Sequence, residues 1–356
     1  MRYAIAVFAA LFLTTAPVLA DDAIGFTELS IPDTESDRDL SAALWYPTLD
    51  GSTPTLLGEN AAFYGLPVIP EAAIASGPFP LIVLSHGFGG NWTNQLWLAG
   101  ALVRAGFVVA APNHPNPNDP ATTSANRDPQ QAARLWRRSL DITRVIDAVE
   151  TDEAIGPAIS TDTVGVAGHS LGGWTALMAI GARFDADRLA ADCDVHADLE
   201  ACDVFDATIA RLDPDGWMAL GGDWRDPRIG AAVSLDLGMA RGFTPESLMD
   251  VDVPVLVMAA GESTDRIPAT LESGYLVDHL PRPSTGYVLV DGAGHFSFLR
   301  ECKQGAIALL DAEAPGDGVI CRDGPRAPAD VRDRRAIHSD VSVRVVAFFS
   351  EHLMPR

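Results

Sequence analysis

The sequence predicts an α/β protein in which a mostly parallel central sheet is flanked by helices, with one inserted lid-like segment. Three observations lead there. Strand-like and helix-like stretches alternate after an all-β start. Short, wholly apolar runs such as Leu81-Ile82-Val83-Leu84 have the character of strands buried on both faces. And Val164-Gly165-Val166-Ala167 runs straight into Gly168-His169-Ser170-Leu171-Gly172-Gly173 and then Trp174-Thr175-Ala176-Leu177, a strand, a tight turn and a helix start.

The elements follow in order. Residues 26–31 and 40–46 are the opening strands, and 81–84 is the first strand of the parallel part. A helix is expected over 91–105 and a buried strand over 107–111. Residues 113–127 are too rich in Pro and Asn to be regular. The next helix is signalled by Asp128 as cap, Pro129 at its first position and Leu135, Ile142, Val145, Ile146 and Val149 at helical spacing, ending near Thr151. Residues 183–228 then interrupt the alternation with aspartates, two cysteines and Phe184, Phe205, Trp217 and Trp224. This insertion is either an aromatic cover over an acyl pocket or a disulfide-stapled surface excursion. Strands resume at 229–235, 254–259 and 287–290, and a helix over 342–352 with Val345, Val346, Phe348 and Phe349 closes the sheet.

At 356 residues the chain suits one large domain with an insertion. Residues 1–20 carry Arg2, an apolar run over 4–13 and Val18-Leu19-Ala20, the pattern of a secretory signal cleaved near Ala20, leaving 21–356 as the mature domain. The apolar run is too short to span a bilayer, so no stable membrane insertion is expected after cleavage. The formal charge of −23 makes nucleic acid and anionic lipid head groups poor partners. Four cysteines fit an oxidising, periplasmic or extracellular setting, and proximity pairs Cys193 with Cys202 and Cys302 with Cys321. No Cys-x-x-Cys or His-x-x-x-His accompanies them, so no metal site is expected.

The Gly168-x-Ser170-x-Gly172 turn has the form of a nucleophile elbow, in which flanking glycines free the space that a strained, exposed serine needs. A serine hydroxyl becomes a useful nucleophile only beside a base that a carboxylate orients, with donors for the oxyanion. Among eight histidines, His295 alone follows the last strand in a small-residue loop, Gly292-Ala293-Gly294-His295, and is the candidate base. The oxyanion donors are expected to be the N–H groups of Phe88, in Ser85-His86-Gly87-Phe88-Gly89-Gly90, and of Leu171, the residue after the nucleophile. Two aspartates keep the chain order Ser, Asp, His: Asp265, past the strand at 254–259, is the leading choice, and Asp236, ending the strand before it, is the rival.

With Ser85–Gly90, Ala110-Ala111-Pro112-Asn113-His114-Pro115, Gly168–Gly173, Leu235-Asp236 and Gly292–Leu299, the chain resembles the α/β-hydrolase superfamily over its mature length. Within it, the likeness is to bacterial predicted dienelactone hydrolases of the platelet-activating-factor acetylhydrolase-like group. That resemblance implies a serine carboxylic-ester hydrolase without cofactor. It departs from true dienelactone hydrolases, whose nucleophile is cysteine, because Ser170 occupies the elbow. In acetylhydrolases and chlorophyllases the acid matches Asp236, and in cutinase-like polyester hydrolases it matches Asp265. The His114-Pro115 segment reads as loop shape near the site.

The function expected is an exported serine esterase acting on short or medium acyl esters, small-molecule or lipid-like, through an acyl-enzyme. Alternatives are a polyester or cutin-type hydrolase, a serine peptidase, and a non-catalytic binding protein on the same fold. An open groove favours polymers, and an insertion covering the site favours small acyl groups.

Overall fold

The computed structural model describes residues 23–33, 38–115, 133–261, 264, 266–323 and 333–355. The expected leader, the expected helix start at Asp128 and Pro129, and Asp265 lie outside the described residues.

Ten strands form one sheet among them: β1 (Ile24–Ile31), β2 (Leu40–Pro47), β3 (Thr55–Leu57), β4 (Leu66–Pro70), β5 (Phe79–Ser85), β6 (Val108–Asn113), β7 (Ile159–His169), β8 (Ile229–Leu235), β9 (Val255–Ala260) and β10 (Thr285–Val290). Their spatial order is β10-β9-β8-β7-β5-β6-β2-β1-β4-β3. Every pair from β10 to β6 is parallel, and β2 then runs antiparallel to both β6 and β1. The short strands β3 and β4 were not expected. Pro67 and Pro70 give β4 the look of a loop, and a strand near the sheet's margin tolerates the missing N–H donors.

Among the described residues the helices are α1 (Leu96–Arg104), α2 (Arg137–Thr151), α3 (Leu171–Ala179), α4 (Ala186–Cys193), α5 (Glu200–Ala207), α6 (Pro214–Leu220), α7 (Pro245–Met249), α8 (Ser273–His279), α9 (Ala306–Glu313) and α10 (Arg334–Leu353). The helix expected over 91–105 opens as a 3₁₀ turn, Trp92–Gln95, because the Asn91 side chain accepts the Thr93 N–H and caps it there. Helix α10 begins earlier than expected. Ile337, Val341, Val345 and Phe349 form its buried stripe, which interleaved Arg335, His338 and Asp340 obscure in the sequence.

Residues alternate along β5 between two cores. Leu81 and Val83 join Ile142 and Val145 of α2 and Trp174 of α3, whereas Ile82 and Leu84 join Leu98 and Leu102 of α1 and Val345 and Phe349 of α10. A central strand covered on both faces needs this continuous apolar run.

The insertion is three short helices, α4 to α6. Its aromatics do not cover the site. Phe184 is buried edge-on against Trp174 and Phe243, at 5.3 and 5.5 Å, and Phe205 packs on Trp217 at 6.0 Å. Phe205 and Trp217 pack within the insertion, and Phe184 forms its seam with α3 and the segment at Phe243. Disulfides join Cys193 to Cys202 and Cys302 to Cys321, as proximity predicts; the first ties α4 to α5.

Phe349 is fully buried, packing on Phe107 at 6.5 Å and lying close against Gly165 of β7. Phe349→Ala is therefore expected to cost about 3–5 kcal/mol of stability, read as a lowered midpoint in urea unfolding. A loss under about 1 kcal/mol would contradict this packing.

Candidate active site

The carboxyl edge of the parallel sheet, where open α/β sheets place ligands, gathers the candidate residues. Ser170 follows β7, Asp236 follows β8, His295 follows β10 and the glycine loop follows β5. Strands β5 and β8 both flank β7, so the loops beside the serine come from its immediate neighbours.

Ser170 sits at φ 56°, ψ −122°, a conformation L-residues rarely adopt. Its surroundings hold it there. The Ser170 N–H donates to the Leu235 carbonyl at 2.9 Å, and its own carbonyl accepts from Gly173 and Trp174 at 2.9 and 3.2 Å. The glycines are steric requirements: a Cβ at Gly168 would overlap the Gly172 backbone, and one at Gly172 would overlap the Ser85 carbonyl. The turn therefore projects the hydroxyl outward while its backbone lies against the end of β5.

The Ser170 Oγ lies 3.2 Å from His295 Nε2, and His295 Nδ1 lies 2.7 Å from Asp236 Oδ2. An ionised carboxylate only accepts, so Nδ1–H donates to Asp236 and the Nε2 lone pair faces the serine hydroxyl. Asp236 is buried at φ 45°, its N–H bonded to Met258 O at 2.7 Å and its Oδ1 accepting from Ala260 N–H at 2.8 Å. Two donors thus fix the carboxylate.

The leading sequence choice for the acid is corrected here: the carboxylate against His295 is the rival, Asp236. Asp265 lies outside the described residues, and its neighbours are exposed at the rim. Arg266 pairs with Glu200 at 2.7 Å and with Asp203 of the insertion, and Thr264, Arg266 and Ile267 line the apolar cavity beside Ser170.

Gly87 to Gly90 forms a turn closed by Gly90 N–H to Gly87 O at 3.2 Å, with Gly89 at φ 70° in the position that needs a positive angle. Among the described residues, nothing accepts the Phe88 N–H. The Phe88 side chain is half exposed, and Leu171 is the first residue of α3, where helical N–H groups lack intrahelical partners.

Three cavities meet at Ser170 and Phe88. The smallest, about 30 Å³, adjoins Leu171 and is lined by Ala201, Val204, Met239, Ile267 and Glu272. A second, about 510 Å³ and chiefly apolar, runs past His295 to Phe296 and Val319. The third, about 320 Å³, also touches His295 and is lined by Asn91, Thr93, Asn94 and Arg300. Among the described residues, no cluster of His, Cys, Asp or Glu is arranged to hold a metal ion.

Several supporting residues carried no signal that sequence reasoning used. His169 Nε2–H donates to the His295 carbonyl at 2.8 Å, and the two rings lie 4.6 Å apart. His338 Nε2–H is shared by the carbonyls of Ser297 and Leu299, both at 2.9 Å, while Trp97 stacks on its ring at 4.0 Å. Ser297 accepts the Gly294 N–H and donates to Asp323, which Arg334 holds. The loop carrying His295 is thereby tied to the elbow and to α10.

Burial pushes the imidazoles of His86, His114, His169 and His338 below their ordinary 6.5, those of His114 and His338 to about 3. Each takes up a proton on unfolding wherever the pH lies between its folded and unfolded values. Their stabilising contribution is complete above 6.5 and falls as pH drops below it. Glu272, raised by burial from 4.5 to about 7, acts in the opposite sense over that interval and offsets only one of the four. Urea unfolding is therefore expected to show lower stability at pH 5 than at pH 7.5; equal midpoints and slopes would contradict neutral, buried imidazoles.

Residues 82–306, well over half of the chain, match the model of the alpha/beta hydrolase family. No curated protein matches the chain. Among solved structures, a ferulic acid esterase from Streptomyces cinnamoneus is similar, with a TM-score of 0.60 and 21% identity over 96% of this chain and 93% of that one. At that identity the likeness is one of fold, and it extends the match beyond residues 82–306 to nearly the whole chain. The chain belongs to the alpha/beta hydrolase family.

Proposed function

We propose that the protein is an exported serine hydrolase that cleaves carboxylic esters of short acyl chains through an acyl-enzyme. The observation that carries this reading is the hydrogen-bonded line Ser170 Oγ, His295, Asp236, at 3.2 and 2.7 Å, opening onto cavities. Ser170 attacks the ester carbonyl as His295 Nε2 takes its proton; the N–H groups of Phe88 and Leu171 receive the oxyanion. His295 then returns the proton to the leaving alcohol. Water repeats the sequence to release the acid. Asp236 holds the tautomer and stabilises the imidazolium. An acid at Asp236 agrees with the acetylhydrolase-like resemblance and departs from the cutinase-like one.

The substrate's two halves follow from the cavities. A leaving alcohol must lie on the side of His295, which lines the two larger cavities and not the smallest. The acyl group is then left the cavity beside Leu171. Its 30 Å³ holds two or three heavy atoms, on a measure in which roughly 10–15 Å³ holds one water. Ala201 and Val204 of the insertion form part of that wall, which favours small acyl groups over a polymer chain. Residues 1–20 serve as the export signal, residues 21–356 as one mature domain, and the two disulfides suit an oxidising compartment.

A p-nitrophenyl acyl series tests this. Acetate and butyrate are expected to exceed octanoate in kcat/KM by about tenfold or more, with release lost in Ser170→Ala. Asp236→Asn is expected to lower kcat by about 10⁴. Octanoate or a solid polyester turned over best would overturn the short-acyl assignment, and unchanged turnover in Ser170→Ala would overturn the nucleophile.

A further inference from the structure

A second serine, histidine and aspartate stand in line behind the first. Ser85, the last residue of β5, donates its hydroxyl to His114 Nε2 at 2.9 Å, and His114 Nδ1–H donates to Asp141 Oδ2 at 2.8 Å. The bonding pattern repeats that of Ser170, His295 and Asp236, yet all three are buried. Ser85 and Asp141 have no exposure, and none of the three cavities beside Ser170 touches Ser85, so this serine meets no ester. Arg38 grips both oxygens of Asp141 through two N–H groups, one at 2.8 Å.

The branches of this cluster end on the backbone beside the active serine. Arg138 donates to Ser85 Oγ at 3.3 Å, to the His86 carbonyl, and through Nε to Thr175 Oγ1 at 3.0 Å; Thr175 in turn donates to the Leu171 carbonyl at 2.8 Å. The His114 backbone N–H donates to His86 Nε2 at 3.1 Å. That bond places the His86 proton on Nδ1, from which it donates to the Gly87 carbonyl at 2.8 Å. The Gly87 carbonyl and the Phe88 N–H belong to one planar peptide, so fixing the first aims the second.

We propose that Asp141, His114, Ser85 and Arg138 form a buried positioning network that holds the two backbone segments carrying the oxyanion donors, Phe88 and Leu171. The inference rests on the use of those two amides in the reaction above. Charge and burial agree with it. Burial alone opposes ionisation of Asp141, but Arg38 and the His114 N–H hold its carboxyl well below the usual range. Burial keeps His114 neutral, with a value of about 3, as an acceptor from Ser85 requires. The network stiffens the donors without touching the substrate, and such preorganised donors act only on the charge that develops in the transition state.

Ser85→Ala and Asp141→Asn test the inference, the first being the milder because Asp141→Asn leaves Arg38 buried without its counter-charge. Turnover is normalised to active sites titrated with a fluorophosphonate, so that misfolded protein does not count. Both variants are expected to lose kcat by about 10- to 100-fold with KM nearly unchanged, less than the roughly 10²–10³ that deleting one oxyanion donor costs. Affinity for a trifluoromethyl ketone, whose serine adduct carries an oxyanion, should fall by the same factor, and Ser85→Thr should restore both. Amide hydrogen exchange across 87–90 should quicken in Ser85→Ala while exchange across β8 stays unchanged. Wild-type kcat and ketone affinity per titrated site in Ser85→Ala overturn the network, as does unchanged exchange across 87–90. If wild-type protein hydrolyses no ester, the serine reading fails, and quickened exchange across 87–90 alone still supports the network's hold on that turn.

Discussion

Everything at the site depends on one close approach: the elbow backbone at Gly172 lies against the Ser85 carbonyl with no room for a side chain between them. This contact docks the start of α3 onto the end of β5. It brings the residue after Ser170 beside the loop that carries Phe88, which also explains why positive φ is tolerated at Ser170. The Ser170 N–H donated to Leu235 and the Gly173 and Trp174 N–H groups donated to the Ser170 carbonyl over-determine the turn, so strain of order 1–3 kcal/mol at one residue is offset by the surrounding packing.

Two constellations of the same three residue types sit about this contact, and exposure separates their roles. Ser170 opens onto cavities, and its imidazole partner is fixed on one side by Asp236 and on the other by the loop that His169 and His338 hold. Ser85 is sealed beneath the glycine turn, its hydroxyl engaged by His114 and Arg138. A carboxylate and a neutral imidazole in series make an orienting device wherever they occur. Whether they activate a nucleophile or stiffen a backbone depends on what stands at the far end of the line and whether substrate reaches it.

Much of this was legible in the sequence because it is local. The glycines of the elbow, the apolar run of β5 and the small residues before His295 each encode a turn or a buried strand within a few positions, and Ser170, His295 and the glycine turn follow β7, β10 and β5 at the carboxyl edge. The choice between Asp236 and Asp265 was not local. Both follow strands, and only the fold brings one of them, Asp236 at the end of β8, against an imidazole 59 positions away. The insertion's aromatics left two readings open for the same reason: Phe184 finds Trp174 and Phe243, which no spacing rule connects. Asp141 showed only as a polar position on a helix whose apolar stripe carried the pattern, so its burial against Arg38 and His114 was invisible.

The walls of the cleft show why the disulfides lie where they do. Cys202 belongs to α5, whose Ala201 and Val204 line the smallest cavity, and Cys321 adjoins Ile320, which lines the polar one. Neither segment belongs to the sheet, and α5 is only eight residues long, a length at which an isolated helix is marginal in water. Outside the sheet, little backbone pairing is available to hold such a wall at a fixed distance from Ser170. A covalent tie over a short loop narrows the wall's alternatives without adding core. Rigid strands thus place the reacting groups, and stapled segments set the size of what reaches them.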